Sequence, residues 1–346
     1  MSIRRLMLML LALLALESQG QKRLLDGFNR YLDKRDSTTA AKLDSNYIGY
    51  YPEKLLFSGG VYSSGGWMKV TNNNGSYELG SDLSNSLSLR ACYRGVSICM
   101  GLNPFDVMGK NDAEFDISLY GEKMVFDFVY QNSESMSGNL NTTGQYSTEI
   151  ELEKGFINRR TMTFGAMYVF NSHRFSYAAA FDQTCIQKRS CGSFLLGAHY
   201  LYKRLRFDFS GMRLGNLYTK SKMLGIGAGY AYNLVLPKQW LVSMSGLAEV
   251  GIWTKNRSVL SQEMFDTYNA TAEVLGGPNM KITDKEFSFS YDHPPIFFIP
   301  RLAVIHHFGH FFAGFTSLGS MNFEKQNGAH NYNFVFVSNL MFGVQL

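Results

Sequence analysis

From about Leu55 onward the chain repeats with period two. TMTFGAMYVF sets Met162, Phe164, Ala166, Tyr168 and Phe170 on one side against Thr161, Thr163 and Gly165. KMVFDFVYQ sets Met124, Phe126, Phe128 and Tyr130 against Lys123, Asp127 and Gln131, and SFLLGAHYLYK sets Phe194, Leu196, Ala198, Tyr200 and Tyr202 against Ser193, Gly197, His199 and Lys203. RFSYAAAFD follows the same rule, with Phe175, Tyr177, Ala179 and Phe181 opposite Ser176, Ala178, Ala180 and Asp182. GIGAGYAYNL takes it furthest: Gly225, Gly227, Gly229 and Ala231 share one parity, and Ile226, Ala228, Tyr230 and Tyr232 the other. Side chains alternate across a strand, so each segment is a strand with one greasy face and one small or polar face.

A soluble sandwich would alternate too. Three features favour a membrane barrel instead. The segments are long, and about 9–11 residues suffice to cross a bilayer. They number about fourteen, with twelve as the smaller alternative, within the even-numbered series of bacterial barrels. Their connections alternate in length. Arg94-Gly95, Gly121-Glu122, Asn171 to His173, Lys203-Arg204, Pro237-Lys238 and Phe308-Gly309 are short turns, whereas QNSESMSGNLNTTGQYST and 254–296 are long. Short periplasmic turns and long external loops are the barrel asymmetry. In lipid every backbone N–H and C=O must find a partner, which a closed antiparallel barrel provides. The expected fold is therefore an all-β transmembrane outer-membrane barrel with Ile226, Ala228, Tyr230 and Tyr232 toward hydrocarbon. Trp240 and Trp253 bracket one strand, but their opposite parity leaves only one facing lipid. The chain ends on NYNFVFVSNLMFGVQL, similar to the terminal strand read by the barrel-insertion machinery, except that Leu346 is not aromatic.

Before the strands come Arg4, Arg5 and the run LMLMLLALLAL, then small residues at Ser18 and Gly20. This is the layout of a secretory signal over 1–20, too short for a comfortable membrane span. Residues 21–50 form a periplasmic segment in which Leu24, Leu25, Phe28, Tyr31 and Leu32 mark a short amphipathic helix, and 51–346 form the barrel. Loss of the signal moves the formal charge from +5 to about +4, a weak bias compatible with anionic lipid or polysaccharide. No basic run suggests nucleic acid.

The strings DSNYIGYYPEKL, RFSYAAAFDQTCIQKRSCGSFLLG, GIGAGYAYNLVLPKQW and FFIPRLAVIHHFGHFFAGF resemble the recurring blocks of a Bacteroidetes outer-membrane β-barrel family catalogued as a domain of unknown function, number 4421. The resemblance covers roughly residues 44–346. It implies fold and location but no substrate, and Cys185 and Cys191 depart from the expected block.

By parity, Asp127, Asp182, His199, Glu249 and Arg301 face the lumen. There they could set ion selectivity or hold a plug, or simply pair across the wall, with Glu249 and Arg301 the first pair to expect. Cys92 with Cys99, and Cys185 with Cys191, are possible disulfides, the alternative being four buried or lumenal thiols. His306, His307 and His310 cannot converge on a metal because neighbouring residues of a strand diverge, so they are expected as solvated turn residues. No cofactor motif is present. The functional reading is a small pore or a plugged, structural barrel in contact with outer-membrane lipid and lipopolysaccharide. The alternatives are a lipid-modifying enzyme using His199 or His293, and a scaffold holding a periplasmic partner through residues 21–50. Oligomeric state is open.

Overall fold

A computed structural model of the chain describes residues 26–27, 30, 32–34, 42–51, 55–72, 75–81, 83–102, 113–142, 149–209, 215–275 and 283–346. The secretory signal over 1–20, and Leu24, Leu25, Phe28 and Tyr31 of the amphipathic stretch, lie outside them; residues 26, 27, 30 and 32–34 are helical. Contacts divide the chain into Met1–Asp44 and Ser45–Leu346.

The larger unit is a closed antiparallel barrel of twelve strands with two extra strands in its sheet. The strands in chain order are β1 Ile48–Tyr50, β2 Leu55–Asn72, β3 Gly75–Ser81, β4 Ser84–Tyr93, β5 Val96–Leu102, β6 Ala113–Tyr120, β7 Met124–Thr142 and β8 Glu149–Val169, then β9 Cys185–Gln187, β10 Cys191–Asp208, β11 Asn216–Leu236, β12 Trp240–Leu260, β13 Glu286–Phe289, β14 Ile296–Phe308, β15 Phe311–Gln326 and β16 Ala329–Gln345. Two helices, α1 Ala178–Phe181 and α2 Gln262–Leu275, lie in connections. Pairing of β16 with β2 and of β11 with β12 closes the ring. β4, β5 and β6 are short, and β3 bridges β2 and β7 beyond them.

Twelve rather than fourteen strands has two causes. β10 runs unbroken through Lys203 and Arg204, so the expected turn there is absent. RFSYAAAFD is not a strand but part of a 21-residue connection, 170–190, carrying α1. Period two cannot distinguish a face packed on a lumen from one packed on lipid, and three consecutive alanines suit a helical turn. QNSESMSGNLNTTGQYST is also less loop than expected, because β7 continues to Thr142. Asn171 to His173 likewise opens the 170–190 connection instead of closing a hairpin, whereas the turns at Arg94-Gly95, Gly121-Glu122, Pro237-Lys238 and Phe308-Gly309 do join neighbouring strands. Arg94 and Gly95 both have positive φ (52° and 83°), as a two-residue hairpin of matching twist requires. At the opposite end Asn327 and Gly328 do the same (49° and 77°), and their backbone N–H groups donate to the Asp292 carboxylate at 2.9 Å each. Those two bonds hold the Asp292 carboxyl below its ordinary range.

The exterior is organised in rows that run across strands. Phe164, Tyr200, Leu224 and Trp253 lie side by side on β8, β10, β11 and β12. Toward the turn end follow Ala166, Ala198, Ile226 and Val250, then Tyr168, Leu196, Ala228 and Ala248, then Phe194 with Tyr230. Ile226, Tyr230 and Tyr232 are exposed, whereas Gly225, Ala231 and Asn233 are buried inward. From Leu224 to Tyr232 the surface covers roughly 20 Å of barrel height, at about 3.3 Å per residue and 40° tilt, close to the apolar band of such barrels. Trp240 and Trp253 both face outward, contrary to their sequence parity. The pairing of β11 with β12 shifts between Leu224 and Gly225, leaving Ile252 as the extra residue of a bulge, and beyond it outward and inward positions exchange.

Candidate functional site

The connection 170–190 turns into the barrel. Phe175, Tyr177, Ala179, Ala180, Phe181, Asp182 and Gln183 are buried, and ties reach four separate strands of the wall. Arg90 of β4 donates to the Phe181 carbonyl at 2.7 Å, Gln345 of β16 to that of Gln183 at 2.8 Å, and Asn233 of β11 to that of Ser176 at 2.8 Å. Phe181 stacks on Tyr120 of β6 at 6.2 Å. β9 in the same connection pairs with β1, closing this end further. Asp182 is therefore inside the barrel but not on its wall: its carboxylate accepts from the Thr184 backbone and hydroxyl at 3.0 and 2.6 Å, shaping the turn after α1.

The four wall residues expected in the lumen are all buried there, but with other partners. Arg301 bonds Asp127 at 2.6 Å across the barrel, and His199 Nδ1 meets Glu249 Oε1 at 2.6 Å. Glu249 does not pair with Arg301. A further pair that sequence reading missed, Lys203 with Glu324 at 3.2 Å, lies closer to the loop end. In sequence Lys203 reads as part of a short turn with Arg204, which conceals the pair.

The bare face of β11 explains the second pair. His199 is on β10 and Glu249 on β12, two strands apart, with Gly225 and Gly227 between them in register. A methyl at Gly225 would stand 2.8 Å from Glu249 Oε2, and one at Gly165 on β8 would stand 2.5 Å from His199 Nε2. Glycine on both flanking strands lets the imidazole and carboxylate lie flat on the wall and touch. Glu249 Oε2 has no hydrogen-bond partner among the described residues.

The Asp127–Arg301 pair stands between two cavities. One, of about 70 Å³, reaches Phe181 and Tyr120; the other, of about 100 Å³, is bordered by His199, Glu249, Lys203, Met223, Phe297 and Ile299. Nearer the loop end Met68, Leu79, Ile157 and Leu205 form an apolar cluster inside the wall. Asp127→Ala would leave the Arg301 charge buried and unanswered, and should cost about 3–5 kcal/mol, whereas the apolar pair Asp127→Leu with Arg301→Met should cost far less. Urea unfolding in lipid vesicles measures both.

The remaining expectations divide. All four cysteines are thiols. Cys92 faces Ser97 and Cys99 faces Arg90, so the first two are not opposite one another. Cys185 contacts Ser176 at 2.9 Å, and Cys191 accepts from Asn171 at 3.1 Å. Burial pushes the Cys185 thiol up to about 12. His306, His307 and His310 diverge as strand geometry requires, but only His310 is exposed; His306 is half-buried and His307 buried. His306 stacks on Trp240 at 4.5 Å, and His307 is buried against Tyr51 and Phe312. His293 is exposed on the connection before β14.

Among solved structures the barrel is similar to the outer membrane protease OmpT from Escherichia coli (6% identity, 86% of this chain and 98% of that one, TM-score 0.40). It is also similar to the β domain of the Bordetella autotransporter BrkA (9%, 82% and 98%, 0.37) and to the translocator domain of the autotransporter NalP from Neisseria meningitidis (9%, 95% and 98%, 0.31). No curated protein matches the chain in sequence. Residues 42–345 match the family described as a domain of unknown function, DUF4421, and the chain belongs to that family.

Proposed function

We propose that the protein is an outer-membrane barrel that is plugged rather than conducting, with the turn end toward the periplasm and the loop end outside. The inward fold of 170–190 carries this reading. A segment tied to β4, β6, β11 and β16 fills the lumen cross-section where a pore would need water. The lumenal charges fit a wall-bracing role, since Asp127, Arg301, Lys203 and Glu324 neutralise one another in pairs. Placement in the outer membrane is supported by the apolar band with its aromatic borders, because an aqueous exterior would leave that surface without a partner.

Conductance across a planar bilayer tests the proposal. The intact protein, inserted and verified as folded, should give no steady ohmic steps. Regular steps from the intact protein would contradict it.

A further inference from the structure

The rows above the apolar band on the β8–β12 side are cationic. Arg160, Arg204, Lys220 and Arg257 stand side by side in register on four consecutive strands. In the next row toward the band, Lys222 and Lys255 are paired and adjoin Tyr202. The following row is the aromatic one of Tyr200 and Trp253. Like charges directly opposite on neighbouring strands repel, so a row of four needs negative charge from somewhere. The described residues supply little: Glu286 answers Arg257, and Asp208 answers Arg206 one row higher. Arg160, Arg204, Lys220, Lys222 and Lys255 have no carboxylate partner among the described residues. Arg204 lies over the Tyr218 ring, 5.4 Å from its centroid, and Arg160 donates to Asn132 Oδ1 at 3.3 Å.

The bulge at Ile252 belongs to this surface. Without the parity exchange it causes, Lys255 and Arg257 would point into the lumen; with it, they complete the exterior rows. The patch spans roughly 14 Å across four strands at about 4.8 Å each. It begins one row above the hydrocarbon-facing side chains, which is the level of lipid headgroups.

We propose that this face binds the phosphorylated headgroup of an anionic glycolipid in the leaflet at the loop end, with the acyl chains lying along the apolar rows below. The width favours a headgroup with more than one phosphate, since cations on four strands surround more anionic surface than one phosphate offers. Arginine supplies bidentate contacts and lysine point charges.

The test uses the full chain folded in a zwitterionic detergent and diphosphoryl lipid A as probe, with monophosphoryl lipid A, phosphatidylcholine and inorganic phosphate as comparison arms. Wild type should bind diphosphoryl lipid A most tightly, the monophosphoryl form less, and phosphatidylcholine weakly, and millimolar inorganic phosphate should not displace the lipid. Replacing Lys220, Lys222 and Lys255 together by Gln should weaken binding on the order of 100-fold. These three side chains are exposed, so folding should survive. Lys123→Gln with Lys238→Gln, at the turn end, should leave binding intact. Equal affinity for phosphatidylcholine, ready displacement by phosphate, or an unchanged triple variant would each overturn the proposal, and none of them bears on whether the lumen is plugged.

Discussion

A barrel in which residues 174–187 are replaced by a short Gly-Ser linker should conduct ions where the intact protein is silent. This segment carries the buried Phe175, Tyr177, Phe181, Asp182 and Gln183, and its removal opens the space beside Tyr120 to the turn end of the barrel. The remaining wall keeps its twelve strands, because none of them loses a pairing partner. A gentler variant tests the same point without a deletion. Arg90→Ala with Gln345→Ala removes two ties, one of them from a charged donor, worth together about 3 kcal/mol. Exit of the segment should then become on the order of 100-fold more frequent. Cys185 reports it: buried, with its thiol pushed up to about 12, it should resist maleimide in the intact barrel and label readily in the variant, once Cys92, Cys99 and Cys191 are replaced by Ser. A deletion that inserts normally yet stays silent, with Cys185 labelling unchanged in the gentler variant, would mean that this segment is not what closes the lumen.

The second large effect concerns the bare face of β11. At Gly227 an added Cβ would overlap the Ala248 carbonyl oxygen and the Glu249 Cα. Both are backbone atoms of β12, so relief means opening the seam that closes the barrel. Gly227→Val should cost more than about 4 kcal/mol, at the severe end for single substitutions, and should abolish the compact band on unheated gels. Gly225→Ala is milder. Its methyl meets the Glu249 carboxylate, a side chain that can rotate, and the loss should be limited to the contact with His199. Ala228→Val, one residue away but outward, should be nearly neutral. A Gly227→Val barrel as resistant to unfolding as wild type would refute the role of this glycine.

The sequence showed the barrel through side-chain alternation, and it placed Asp127, His199, Glu249 and Arg301 inside. It could not pair them. Register between strands decides that His199 reaches across Gly225 to Glu249, and register follows from closure of the whole ring. Segment 170–190 was illegible for a different reason. Its Phe175, Tyr177 and Phe181 alternate as a lipid-facing strand would, and a lumen lined by Tyr120 and Arg90 accepts the same pattern. The cationic rows were visible in YKRLRF, YTKSKM and WTKNRS, where cations recur two residues apart beside an aromatic. Two features conceal them: Lys203-Arg204 reads as a turn although β10 runs through it, and the bulge that sets the parity of Lys255 and Arg257 leaves no mark on the alternation.

Spin labels along β10 distinguish a cylinder with lipid outside and a packed lumen within from any other arrangement of these strands. Single labels at 194, 195, 196, 198, 199 and 200, in protein reconstituted into vesicles, should alternate. Positions 194, 196, 198 and 200 should be accessible to oxygen dissolved in the acyl chains, and 195 and 199 should be shielded from both oxygen and a water-soluble relaxer. Uniform access of the water-soluble reagent to 194, 196, 198 and 200 would mean that this face of β10 does not meet lipid.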